Sequence, residues 1–275
     1  MKELEILKET VLKEYPRMSR EGCFNFKCHK DISCFNMCCS DVNIFLTPYD
    51  IIRLKNRLKI SSQEFLDKYT FLPIDENQNH PVVMLKMRQD ENKTCPFVGT
   101  DGCTVYQDRP WSCRMFPLGV ASPKDEGERK GEEFYFMIQE PVCQGYHENQ
   151  SWTVDRWIKD QGVERYSEMG ELFKEISLHE FFRERKQLTP AKLEMFYMVC
   201  YNIDKFREFV LESSFLQRFD VDEETIVEIR KDDEELLKFG INWLRFSLFG
   251  EKTMRLRSDY RPTPRAASSV AAPQP

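Results

Sequence analysis

The chain reads as an α+β protein, mainly helical, and three observations carry that reading. Beyond residue 152 the apolar positions recur at helical spacing, with few glycines or prolines to interrupt them. Before it, short apolar runs bounded by turn residues suit strands. Between residues 28 and 143 lie eight of the ten cysteines, in tight local groups that no ordinary core uses. The expected architecture is a small cysteine-rich metal-binding domain packed on an all-helical C-terminal region.

The elements follow in order. Residues 2–15 have Leu4, Leu7, Val11 and Leu12 on one face, with charges opposite, and predict an amphipathic helix. The segment from Pro16 to Gly22 breaks it. Residues 23–40 read as irregular, because ligand geometry rather than periodicity would set the backbone there. Thr47-Pro48 opens a helix, with Thr47 as N-cap, Pro48 at the first helical position and an Ile51, Leu54, Leu58 stripe. Ser61-Ser-Gln-Glu64 is a capping-box pattern for a short helix through Tyr69. Residues 82–88 suit a strand. Asp101-Gly102 marks a tight turn, so residues 96–107 read as hairpin-like. Phe134 to Ile138 predicts a further strand after a charged loop from Lys124 to Glu133.

In the C-terminal half, Trp157, Val163, Leu172, Phe173 and Ile176 fall in one helical region. A second, entered through Thr189-Pro190, carries Leu193, Phe196, Val199, Ile203, Phe206 and Val210 as one stripe. Ile226, Ile229, Leu236, Leu237, Trp243, Leu244 and Leu248 predict one or two more helices. Residues 258–275, rich in Pro, Ala and Ser, read as a disordered tail. The boundaries expected are an N-terminal helix at 1–19, a cysteine-cluster domain at 20–150, a helical accessory region at 151–257 and the tail.

Composition narrows the function classes. With 41% hydrophobic and 13% aromatic residues the chain can bury a core. Its net charge of −6 makes it a poor generic nucleic-acid binder. No apolar run approaches the roughly 20 residues that cross a bilayer, so no membrane partner is expected. The opening Met1-Lys-Glu-Leu-Glu-Ile-Leu-Lys holds no secretory apolar region. A cytoplasmic, reducing setting is therefore expected, where clustered thiols read as metal ligands or redox groups rather than a disulfide framework.

The cysteines are Cys28, Cys34, Cys38 and Cys39, then Cys95, Cys103 and Cys113, then Cys143. Thiolate is a soft donor for zinc, iron or an iron–sulfur cluster, and four thiolates close one such centre. Eight suffice for two centres, or for one with thiols to spare. The doublet Cys38-Cys39 is informative because neighbouring side chains diverge and seldom serve the same mononuclear ion. They suit different metals, or one ligand and one core residue. The spacing does not match a CxxC…CxxC zinc ribbon, a CxxxCxxC radical-enzyme triad or the H-x-E…P-C-x-x-C of zinc deaminases.

The segment from Cys95 to Pro117 reads Cys-Pro-Phe, then Cys103-Thr-Val-Tyr106, then Arg109-Pro-Trp-Ser-Cys113-Arg114-Met-Phe116-Pro117. With the group ending in Cys38-Cys39, the following Leu46-Thr-Pro-Tyr-Asp50-Ile-Ile-Arg53-Leu54, and the later lone Cys143, it resembles the YkgJ-type cysteine-cluster family. That family is described as carrying a zinc- or iron-chelating domain. The resemblance covers roughly residues 23–146 and implies metal binding. It leaves the metal and any reaction open. The family's first group is often C-x3-C-x2-C-C, whereas this chain has Cys28-x5-Cys34-x3-Cys38-Cys39, so Cys28 and Cys23 compete as the eighth ligand. The signature is also similar to that of flagellin lysine N-methylases, which implies a methyltransferase reading. No glycine-rich nucleotide loop supports it independently.

The ligand set expected is thus Cys28, Cys34, Cys38, Cys39, Cys95, Cys103, Cys113 and Cys143, holding an iron–sulfur cluster or iron, with zinc as the alternative. Cys200 lies within a helical apolar stripe and reads as core. His29 and His147 adjoin ligand cysteines and read as surface residues or as completing a centre; His80 and His179 read as solvated. Arg109 and Arg114 flank Cys113. They either offset thiolate charge at the cofactor they help bind, or bind an anionic substrate, or fix a turn by bonding carbonyls. Trp111, Phe97 and Phe116 read as a shield around the centre. Three functions remain: a metal-chelating protein, an iron–sulfur protein-modifying enzyme, and a structural zinc module whose helical region binds a protein partner.

Overall fold

A computed structural model describes residues 16–73, 79–121, 133–184 and 186–258. The helix expected over 2–15, the charged loop after Lys124 up to residue 132 and the tail beyond 258 lie outside these residues.

The chain is helical with small two- and three-stranded sheets, as the α+β reading requires. Strand β1 (Cys23–Asn25) and a 3₁₀ turn at Met37–Cys39 bracket the segment 23–40, which is otherwise irregular as expected, and β2 (Phe45–Leu46) follows. Helix α1 (Pro48–Leu58) begins as its sequence predicts. Thr47 Oγ1 accepts the Asp50 N–H at 3.1 Å, and Asp50 Oδ2 accepts the Thr47 N–H at 2.7 Å. Helix α2 (Ser62–Tyr69) is capped by Ser61, whose Oγ accepts the Glu64 N–H at 3.1 Å. Strands β3 (Thr70–Phe71) and β4 (Val83–Leu85) complete an antiparallel sheet of order β2-β4-β3.

The turn at Asp101-Gly102 joins β5 (Val98–Gly99) to β6 (Gly102–Cys103), pairing Val98 with Cys103. A one-and-a-half-turn helix α3 (Trp111–Met115) carries Cys113. Strands β7 (Leu118–Ala121) and β8 (Phe134–Met137) pair antiparallel, and β9 (Ser151–Thr153) returns to β1.

From there the chain is helical: α4 (Val154–Asp160), α5 (Val163–Ser177), α6 (Glu180–Arg183), α7 (Pro190–Cys200), α8 (Ile203–Glu212), α9 (Phe215–Arg218), α10 (Glu223–Lys231) and α11 (Asp233–Leu244). Two stretches read as continuous are each broken once. Gly162 adopts a left-handed φ of 60° between α4 and α5. Between α7 and α8, Asn202 is captured by α2: its Oδ1 accepts from Ser62 Oγ at 2.9 Å and its Nδ2 donates to Gln63 at 2.7 Å.

Two apolar cores result, and both draw on residues either side of position 150. The larger joins Tyr49, Ile51, Leu54 and Phe65 to Phe196, Phe206, Leu236 and Leu244. The smaller gathers Phe24, Phe26, Met115, Leu118, Tyr135, Cys143, Val154 and Trp157. Trp111 packs against both. Among the described residues no helix is long and apolar enough to cross a membrane.

Candidate metal centre

The cysteine-bearing segments are drawn together by main-chain hydrogen bonds. Asn36, with a left-handed φ of 68°, starts a 3₁₀ turn at Met37–Cys39, and its Nδ2 donates to the Gly99 carbonyl at 3.1 Å. The Cys95 N–H donates to the Cys39 carbonyl at 2.8 Å, and Ser40 bridges Thr94. Cys39 is thereby held beside Cys95, and the β5–β6 hairpin carries Cys103 to the same place.

The other end of the cluster is tied to residues 143–145. The Lys27 N–H donates to the Gly145 carbonyl at 3.1 Å, which sets Cys28 near Cys143. Glycine is required at 145: a Cβ there would lie 2.7 Å from Phe26 Cε2 and 3.0 Å from the Lys27 carbonyl. The Gln144 N–H donates to Cys34 Sγ at 3.2 Å. A backbone N–H aimed at sulfur orients a thiolate ligand and tunes a metal it holds.

The thiols influence one another as like charges in a confined space do. Burial, then the charges of Cys38, Cys34 and Cys143, push the Cys28 thiol up to about 11. Burial raises Cys143 too, with Cys34 and Cys38 as its charged neighbours. The Cys39 thiol bonds to Cys38 and draws it down to about 7. Cys39 itself is pushed up by that bond, by burial and by the charges of Cys38, Cys95 and Cys113. Burial followed by the charges of Cys95, Asp50 and Cys103 lifts Cys113 to about 12. Burial also raises Cys95 and Cys103. Cys38 apart, thiols crowded and buried in this way stay protonated until a bound cation supplies the charge that opposes these effects. The donor set therefore fits a soft, thiolate-bound metal. Among the described residues, no three His, Cys, Asp or Glu side chains are already drawn to the spacing of a closed metal site.

The remaining expected residues fall into place around the thiols. Arg114 is buried and its guanidinium is taken up by main-chain carbonyls: Arg109 at 3.0 Å, Gln161 at 2.5 Å, and Gln107. Arg109 donates to the Tyr106 carbonyl at 2.5 Å and to Gln161, and lies 3.7 Å from the Tyr106 ring centre. Its positive charge still reaches Cys103 and Cys113 and opposes their upward shift. Phe97 is buried in the larger core, and Phe116 packs edge-on to Phe26 at 5.8 Å.

Cys23 is exposed on β1 with its Sγ directed at the Glu21 carbonyl, 3.6 Å away, while Cys200 is buried in α7 as expected. His29 lies 3.4 Å from Glu148, and His147 sits in the turn after Cys143. The reading of His80 and His179 as solvated needs correction. His80 stacks on Phe196 with ring centres 5.1 Å apart, and His179 stacks on Phe249 at 3.7 Å while capping α6. Both imidazoles fill aromatic clusters of the helical region.

Sequence reasoning missed two supports. Asp50, wholly buried at the start of α1, accepts the Trp111 N–H at 2.8 Å and so fixes the first turn of the Cys113 helix. Arg88 donates to the Pro96 and Val98 carbonyls and lowers the Cys95 thiol against burial. The Thr47…Asp50 capping box was the readable trace of the first, but not its second partner.

Thiols gathered from separate segments, with a main-chain N–H turned to Cys34 Sγ, suit a metal-chelating domain. Residues 27–144, under half of the chain, match the family model CxxCxxCC, described as "Putative zinc- or iron-chelating domain". This match agrees with the cysteine-cluster resemblance that the motifs suggest. No curated protein and no solved structure matches the chain.

Proposed function

We propose that this chain holds iron as a resident cofactor in its cysteine cluster, in the favoured form an iron–sulfur cluster, with zinc as the alternative. The observation that carries the reading is the convergence of Cys28–Cys39, Cys95–Cys113 and Cys143 through the Lys27–Gly145, Gln144–Cys34 and Cys39–Cys95 hydrogen bonds. Eight thiols exceed what one structural zinc ion takes, and soft sulfur donors suit iron–sulfur chemistry. When bound, a cluster supplies electron transfer or an anchoring site for a cosubstrate. The chain's own residues gather the thiols, bond them through N–H groups, and set Arg88 and Arg109 beside them to offset negative charge.

The test is purification without oxygen, followed by iron, zinc and acid-labile sulfide analysis and an absorption spectrum. The reading expects stoichiometric iron and sulfide with broad absorbance near about 400 nm. Colourless protein with stoichiometric zinc would replace iron by zinc. Folded protein with neither metal above trace would overturn the reading.

A further inference from the structure

We infer that the eight cysteines form two separate four-thiolate centres that part at the Cys38–Cys39 peptide bond: an outer centre of Cys28, Cys34, Cys38 and Cys143, and an inner one of Cys39, Cys95, Cys103 and Cys113. This rests on the metal-binding reading above and goes beyond it in number, membership and accessibility of the centres.

The geometry supplies two independent gatherings. The outer thiols are brought together by Lys27–Gly145 pairing and by the Gln144 N–H on Cys34 Sγ. The inner thiols are brought together by the Cys95–Cys39 hydrogen bond, the Ser40–Thr94 bridge and the hairpin that pairs Val98 with Cys103, while Asp50 anchors the helix bearing Cys113. The cores sort the same way. Cys143 belongs to the smaller core, whereas Cys95 and Cys103 pack against the larger. The two sets meet at Cys38 and Cys39, where the Cys39 thiol bonds to Cys38.

The two sets differ in exposure. Cys28 and Cys38 are open to solvent while Cys34 and Cys143 are buried, whereas all four inner cysteines are partly covered. Arg88 and Arg109 accompany only the inner set, and Glu140 lies by Cys38. The outer centre, open on one side through Cys28 and Cys38, is the exchangeable one.

The experiment is metal content per chain for full-length single and double Cys→Ser variants, with wild type reconstituted in ¹¹³Cd for NMR as the fold-independent measurement. Cys38→Ser and Cys39→Ser should each lose half of the metal. Cys38→Ser with Cys143→Ser should lose no more than either alone, whereas Cys38→Ser with Cys103→Ser should lose nearly all. Wild-type protein should bind cadmium at two sites without ¹¹³Cd–¹¹³Cd coupling, and a chelator should strip one site well before the other. Equal losses in within-set and cross-set doubles, a single cadmium site, or coupled cadmium resonances from a shared thiolate would overturn the two-centre inference while leaving metal binding intact. No metal in folded wild type would instead overturn the reading beneath it.

Discussion

At the scale of single residues, Asp50 shows how a side chain away from the thiols can govern them. Its carboxylate closes the α1 cap and receives the Trp111 N–H, so Asp50→Ala removes a cap and strands a buried donor. The expected loss is about 2 to 4 kcal/mol, read from urea unfolding. His80 makes a different prediction. Burial against Phe173, Phe182 and Phe196 holds its imidazole below its ordinary value. Between the folded and unfolded values the unfolded chain therefore binds the extra proton. This contribution to stability is complete above about pH 6.5 and declines as pH falls below it. Denaturation midpoints of wild type and His80→Leu, compared between pH 7.5 and 5.5, should show a steeper acid loss in the wild type. Equal slopes would remove His80 from the account. Neither role was legible in the sequence: a capping Asp shows its local partner but not Trp111, and a lone His between Asn79 and Pro81 carries no sign of the aromatic cage that folding builds around it.

At the scale of elements, starts were more legible than stops. Thr47-Pro48, Ser61…Glu64 and Thr189-Pro190 announced three helices because capping chemistry is local. The break between α7 and α8 was hidden. Leu193 to Val210 keeps one apolar phase across it, and the interruption comes from Ser62 and Gln63, some 140 positions earlier in the chain. The Asp101-Gly102 turn was read correctly, yet only the folded hairpin shows that it delivers Cys103 to Cys95 and Cys39. Helix packing gives its own test at Gly240 in α11. A Cβ there would meet Val199 at 2.5 Å and Phe206 at 2.7 Å, so α11 crosses α7 and α8 by virtue of a missing side chain. In an exposed helix Gly→Ala gains about 1 kcal/mol. Here overpacking should reverse the sign and cost about 1 to 3 kcal/mol, seen as a lower Tm.

At the scale of the whole molecule, two cores and a thiol cluster are joined through shared residues. Trp111 touches both cores, β1 pairs with β9, and α3 packs against α5, so the cysteine-rich half and the helical half support one another. The candidate ligands stood out because eight soft donors in a short span have few other uses. Their sorting did not, because it depends on pairings between residues as distant as Cys34 and Gln144. Stripping all metal with a strong chelator under reducing conditions should lower Tm and speed proteolysis near residues 28–39 and 95–113, where hydrogen bonds between loops carry the structure. The most direct test of the central claim is X-ray absorption at the metal edge of the intact protein. The account predicts a first coordination shell of sulfur alone, about four per metal and near 2.3 Å from it. A first shell of nitrogen and oxygen would contradict it.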